Sequence, residues 1–257
     1  MHQNKTIVVT GAASGIGAAT ARLLAQQGAN VIGVDRNQPA EQVGEFLQAD
    51  LSDPASIDHL ISRLPTGIHG LANIAGLPPT RAAAEVLKVN LVGLKYLTQH
   101  LVPQLAEGAA IVNLASLAGI GWPQAVPAIL ASESLNFEDV DAFCAQHSIE
   151  GARSYFFSKE ALIAWTLQNR WTWRARGIRM NCISPGPVDT PILGDFVKTL
   201  GARVEEDMRV MDRLGGPDDI APVIAFLLST ASTWIRGASI PVDGGMHAQV
   251  LSDLYGL

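Results

Sequence analysis

The sequence predicts an α/β fold, a doubly wound parallel sheet of about seven strands with helices on both faces. Three observations lead there. Short apolar runs bounded by turn residues recur along the chain, segments with helical apolar spacing fall between them, and a glycine-rich turn follows the first run. Alternation of this kind forces parallel pairing through right-handed crossovers. Strands are expected over residues 6–9, 30–34, 70–74, 110–114, 179–183 and 239–242, with a further short strand closing at Asp50 and Leu51. Helices are expected over 16–27, 54–63, 82–105, 156–176 and 218–229, where apolar residues repeat every three or four positions. No linker, repeat or low-complexity stretch divides the 257 residues, so one domain spanning 1–257 is expected.

Composition narrows the function classes. Hydrophobic residues make up 48% and charged residues 16%, which suits a compact globule rather than a disordered chain. A formal net charge of −6 offers no field to draw in a polyphosphate backbone, so nucleic acid is not an expected partner. The most apolar run, Val223 to Leu228, falls far short of the roughly 20 residues that cross a bilayer, and the N-terminal residues carry no secretory pattern. Cys144 and Cys182 are the only cysteines and support neither a disulfide framework nor a thiolate metal site. The six histidines include no short-spaced pair, so no metal is expected. A soluble, cytoplasmic protein is the expectation.

The first expected strand runs into Thr10, Gly11, Ala12, Ala13, Ser14, Gly15, Ile16 and Gly17, and an alanine-rich helix follows. Here context carries more than the glycines themselves. Gly11 allows the sharp turn out of the strand, Gly15 the approach of backbone to a pyrophosphate, and Gly17 close packing of helix on sheet. The helix N-terminus presents free N–H groups to an anion. The second strand ends at Asp35, where a carboxylate accepts from both hydroxyls of an adenosine ribose, which favours NAD over NADP. Arg36 beside it offsets that preference in part if its side chain turns inward. Asp50 and Leu51 are placed to bracket an adenine, although an acid there also serves as a cap.

Taken in order, TGAASGIG at Thr10 to Gly17, Asp50, NIAG at Asn73 to Gly76, Asn90, Ser116, YFFSK at Tyr155 to Lys159 and PGPVDTP at Pro185 to Pro191 resemble the classical short-chain dehydrogenases/reductases over essentially the whole chain. That resemblance implies a single Rossmann-fold domain and hydride transfer between a nicotinamide and an alcohol or carbonyl. Tyr155 would exchange a proton with the substrate oxygen. Lys159, four positions on along a helix, would lower the phenol's pKa from about 10 and hold the nicotinamide ribose. Ser116 would donate to the substrate oxygen. The resemblance gives Asn90 a water linking Lys159 to solvent, and adds Asn73, Ala75 and Gly76 as cofactor contacts. It has Pro185, Gly186 and Val188 wrap the nicotinamide and Thr190 approach the phosphates. Residues 191–211 would form a lid.

Two departures from the family pattern stand out. Ser116 and Tyr155 lie 39 positions apart, further than is usual, which indicates a helical insertion at about 121–151. Its expected helix covers 137–147 with Asn136 as N-cap, and Trp122, Pro123, Ile129, Leu130 and Leu135 are candidates for the wall of a bulky substrate site. The insertion resembles the bacterial branch holding 3α-hydroxysteroid dehydrogenase/carbonyl reductase and coniferyl-alcohol dehydrogenase. It precedes the helix through which the family usually pairs subunits, so a homodimer assembled differently from the common tetramer is expected. Ile74, the second departure, stands where many relatives have asparagine. The alternative is a noncatalytic dinucleotide sensor or scaffold of the same fold.

Overall fold

A computed structural model of the chain describes residues 1–201 and 211–257. Its centre is one sheet of seven parallel strands: β1 (Thr6–Thr10), β2 (Asn30–Asp35), β3 (Glu45–Gln48), β4 (Ile68–Asn73), β5 (Leu105–Leu114), β6 (Arg179–Pro185) and β7 (Ser239–Val242). They lie in the order β3-β2-β1-β4-β5-β6-β7. Chain order reverses between β1 and β4, and at such a switch point the crossovers leave to opposite faces and open a crevice at the strand C-termini.

Both faces of the sheet are covered, and side chains alternate between them. In β1, Ile7 and Val9 join Leu24, Ile224 and Leu228 on one face. Val8 joins Ile57, Leu97, Leu162 and Trp165 on the other. The first face is built by α1 (Gly15–Gln26) packed against a helix over Pro217–Leu228, and the second by α2 (Pro54–Arg63) and the helices that follow it.

The expected helix over 82–105 is broken into pieces. It runs as α3 (Ala83–Leu87), a π-helical stretch at Lys88–Gly93, α4 (Leu94–Leu101) and a 3₁₀ turn at Val102–Gln104. Pro103 in that turn lacks the N–H a further helical turn needs, and the chain enters β5 at Leu105, five residues before the expected strand start.

Between β5 and the next long helix lie α5 (Val126–Ala131) and α6 (Val140–Gln146). Asn136 caps the entry to α6 by accepting from the N–H groups of Glu138 and Asp139, both at 3.0 Å, and the helix is shorter than the expected 137–147. The long helix is α7 (Ala152–Gln168); the expected continuation to residue 176 consists of 3₁₀ turns. Ile129, Phe143 and Cys144 pack with Leu87, Leu91, Phe157, Ala161 and Ala164, so the 121–151 segment lies on the outer face of α3 and α7. Lys95 of α4 fastens it by donating to the carbonyls of Ser132 (3.1 Å) and Glu133 (3.0 Å). All but one of the residues from Ser154 to Thr166 are consequently buried.

After β6 come α8 (Leu193–Leu200), α9 (Pro217–Leu228) and α10 (Met246–Tyr255). Of the lid expected over 191–211, positions 202–210 lie outside the described residues. Among the described residues, no helix is long and apolar enough to cross a membrane, and no cluster of side chains has the makings of a metal site.

Candidate active site

The switch point holds a cleft of about 540 Å³, within the range of small-molecule sites. Its floor is the turn after β1, lined by Gly11, Ser14, Gly15, Ile16 and Gly17, and its sides are the strand ends Asp35, Arg36, Asp50, Leu51, Ala75 and Gly76. Thr190 closes the far side. Backbone geometry requires glycine at two positions of the turn. Gly15 sits at φ +53°, and a Cβ on Gly17 would lie 2.0 Å from the carbonyl oxygen of Gly11, too close for any side chain. Ser14 occupies the N-cap of α1 without capping it through its side chain, and no acidic residue falls in the first turn. The partial positive charge of a twelve-residue helix therefore faces the cleft.

Asp35 ends β2 with its carboxylate held by the backbone N–H groups of Ala13 (3.1 Å) and Asn37 (2.9 Å), which joins the glycine turn to the neighbouring strand end. Thr10 performs the same service between β1 and β4. Its hydroxyl oxygen accepts from the N–H groups of Ile74 (2.9 Å) and Ala75 (3.1 Å). The sequence reading placed no role on Thr10 beyond its membership of the glycine motif.

At the inner end of the cleft, α7 delivers Tyr155 and Lys159 one turn apart, and the end of β5 delivers Ser116. The Ser116 hydroxyl accepts from the Ala118 N–H at 3.1 Å and lies near enough to Tyr155 to favour its phenolate. Lys159 Nζ stands 5.5 Å from the centre of the Tyr155 ring and donates to the Leu114 carbonyl at 2.7 Å. A Cβ on cleft-lining Gly76 would lie 3.8 Å from that ammonium, so Lys159 reaches the border of the cleft. Gly119 sets the approach of β5's exit to α7: a Cβ there would come within 2.7 Å of the Lys159 backbone. This is a positioning residue the sequence reading missed, signalled only by a glycine shortly after a strand end.

Burial governs the electrostatics. It pushes the Tyr155 phenol up to about 12, against the pull of the Ser116 hydrogen bond. It holds Lys159 down to about 8, with Cys182 acting in the opposite sense. At neutral pH the lysine is charged. Its ammonium, 5.5 Å from the ring centre, favours the phenolate; a unit charge at about that distance, with an effective dielectric of about 20, is worth about 3 kcal/mol. Phe196 of α8 covers the phenol from the other side, edge to face, with ring centres 4.8 Å apart.

Several expected site residues lie elsewhere. Asn73 is 1% exposed, and its amide donates to Thr98 and Asn113, both at 2.9 Å, inside the sheet layer rather than at the cleft. The Asn90 side chain pins the loop after β4, accepting from the Leu77 N–H at 2.7 Å and donating to the Leu77 carbonyl at 3.1 Å. Asn90 nonetheless stays close to the ammonium, since a Cβ on Gly76 would lie 3.4 Å from its Oδ1 and 3.8 Å from Lys159 Nζ. Pro185 ends β6, Gly186 packs on Asp243, and Val188 lines a separate hollow of about 160 Å³ with Met211 and Ile220. Ile129, expected in a substrate wall, is 4% exposed and packs with Trp122 and Leu135 against α3 and α7, while Leu130 faces solvent.

Comparison with known proteins decides the family. Residues 5–128 match the short chain dehydrogenase family, and residues 139–247 match a family described as Enoyl-(Acyl carrier protein) reductase. The chain is 46% identical to a coniferyl-alcohol dehydrogenase from a Pseudomonas species, over 95% of its own length and 96% of the relative's. The chain belongs to the short-chain dehydrogenase/reductase family. A 3-alpha-hydroxysteroid dehydrogenase/carbonyl reductase from Comamonas testosteroni is 31% identical over 94% of this chain and 96% of the relative. The fold of a Pseudomonas 3-alpha-hydroxysteroid dehydrogenase, complexed with NADH, superposes with a TM-score of 0.82 at 31% identity, covering 96% of this chain and 98% of that one. As a short-chain dehydrogenase/reductase the chain has a dinucleotide-binding fold. Its uncapped helix N-terminus, Gly15 and Asp35 fit such a ligand, with a helix pole for the pyrophosphate and a carboxylate for ribose hydroxyls.

Proposed function

We propose that this short-chain dehydrogenase/reductase is an NAD(H)-dependent alcohol dehydrogenase/carbonyl reductase, with Tyr155 as the proton-transfer residue. The observation that carries the reading is the grouping of Ser116 and Lys159 around Tyr155, with the Lys159 ammonium at the border of the cleft. A bound nicotinamide supplies the hydride acceptor for oxidation and the donor for reduction. In oxidation the Tyr155 phenolate takes the proton of the alcohol hydroxyl as the carbinol C–H leaves as hydride; in reduction the phenol returns that proton to the new alkoxide. Lys159 stabilises the phenolate and offers its ammonium to the nicotinamide ribose. Ser116 donates to the substrate oxygen as charge develops there. Asp35 receives the adenosine ribose, which favours NAD. Gly11, Ser14, Gly15, Ile16, Gly17 and Thr190 would enclose the diphosphate and Arg36, Asp50, Leu51 and Ala75 the adenosine and its ribose, with Gly76 beside Lys159 at the nicotinamide end.

The substrate is a cyclic or aromatic alcohol of the hydroxysteroid or coniferyl type, a reading supported by the two relatives and by Phe196 set edge-to-face at the proton-transfer residue. The chain works in the cytoplasm as one domain and as a homodimer, because the 121–151 segment occupies the outer face of α7. The test is Tyr155→Phe. The variant retains NADH binding, read by nicotinamide fluorescence, and loses at least about a hundredfold in turnover across a panel of hydroxysteroids, cinnamyl-type and aliphatic secondary alcohols. Retained turnover removes Tyr155 from its role. Tight NADH binding with no turnover of any alcohol by the wild type favours a sensor instead.

A further inference from the structure

Two guanidinium groups, Arg36 after β2 and Arg81 in the loop after β4, line the same end of the cleft as Asp35. Both turn toward one oxygen. Glu85 Oε1, on α3, lies 3.5 Å from Arg36 Nη1 and 3.8 Å from Arg81 Nη2. We propose that Glu85 biases the choice of dinucleotide by partly neutralising both arginines, so that each offers less to a phosphate on the adenosine ribose. The inference rests on the NAD(H) reading above and assigns part of the preference to a residue outside the strand-end motif.

The chemistry follows from charge and geometry. A ribose phosphate carries close to two negative charges and binds best to a guanidinium that presents two parallel N–H groups. With Glu85 in place, the ribose end holds the charges of Asp35, Asp50 and Glu85 against those of Arg36 and Arg81. Asp35 cannot turn aside, since Ala13 and Asn37 fix its carboxylate from two directions. An incoming phosphate therefore meets a fixed carboxylate and must also draw an arginine from its partner. NAD, with ribose hydroxyls alone, needs neither arginine. The side chains of Arg36, Glu85 and Arg81 are all about one-third to one-half exposed, so their pairing is a modest and displaceable one, suited to tuning a preference. That exposure also means Glu85 can be replaced without opening a hole in the core.

The experiment titrates NADH and NADPH into wild type and Glu85→Gln and reads binding by nicotinamide fluorescence, without turnover. The variant binds NADPH about tenfold more tightly, the scale of one charge-assisted hydrogen bond, while NADH affinity changes less than about twofold. Repeating the exchange in an Arg36→Ala, Arg81→Ala background separates the arrangement from simple removal of a negative charge. The gain disappears there if the freed arginines carry it. An unchanged NADPH affinity, equal tightening of both dinucleotides, or a gain that survives without the two arginines overturns the proposal. Wild-type protein that binds neither dinucleotide refutes the NAD(H) reading itself, a result distinguishable from NADH binding with a silent Glu85→Gln.

Discussion

Replacing Lys159 by methionine should cost activity and add stability, and both magnitudes follow from the site. The ammonium is 3% exposed, and its pKa falls from 10.5 to about 8, so the fold bears the cost of burying the charge whenever the lysine is protonated. That displacement of about 2.5 units corresponds to about 3 kcal/mol. Methionine keeps most of the volume and removes the charge, while the Leu114 carbonyl loses its partner at a cost of about 1 kcal/mol. The net gain at neutral pH is therefore about 2 kcal/mol. Its pH dependence has a defined sign. Between about 8 and 10.5 the unfolded chain holds the proton that the folded chain has released, so wild-type stability rises with pH across that window, and below it the cost is constant. Urea unfolding followed by tryptophan fluorescence should show the stability difference between Lys159→Met and wild type shrinking by about 2 kcal/mol between about pH 7 and about pH 9.5. The other buried groups that burial shifts, Tyr155, Cys182 and Cys144 upward and Lys95 downward, titrate in both proteins and cancel in that difference. Turnover moves the other way, falling about a hundredfold as the phenolate loses about 3 kcal/mol of field. A Lys159→Met protein less stable than wild type at neutral pH would refute the reasoning, because the ammonium would then be a net contributor to the fold.

Three further outcomes are expected. Phe196→Ala raises KM for aryl and steroid alcohols about three- to tenfold and leaves aliphatic alcohols nearly unchanged, and the added access of water to Tyr155 moves the acidic limb of the pH–rate profile for alcohol oxidation to lower pH; equal effects on both substrate classes count against Phe196 as a ring-seating residue. Gly17→Ala forces a Cβ against the Gly11 carbonyl and should abolish NADH binding, with at least about 2 kcal/mol lost in urea unfolding, whereas a fully stable variant that binds NADH would contradict the packing argument. Multi-angle light scattering gives a dimer, and Ile129→Ala lowers stability by about 2–4 kcal/mol without altering that mass; a tetramer would mean the 121–151 segment leaves α7 free to pair.

Much of the fold is legible locally because its signals are local. Strands buried on both faces appear as apolar runs, and Gly11 to Gly17 mark the first crossover. The chemistry-bearing residues are legible by their order along the chain. What the pattern does not carry is direction. Asn73 falls at a strand end like the cleft-lining residues near it, yet pleating aims its side chain through the sheet layer to Asn113, its register partner on β5. Ile129 and Trp122 read as wall residues from their place between Ser116 and Tyr155, but burial against Leu87 and Phe157 decides where they go. The π-helical stretch at Lys88–Gly93 leaves the apolar spacing close to helical, so periodicity passes over it. Glu85 and Arg81 have no distinguishing context until Arg36 is brought beside them from another strand end.

The cover over α7 comes from the chain's own 121–151 segment, and this has a kinetic consequence. The helix that carries Tyr155 and Lys159 owes its rigidity to intrachain neighbours such as Ile129 and Phe143, so each subunit holds its reacting groups in register alone. Specific activity should therefore stay constant on dilution well past the point at which subunits part.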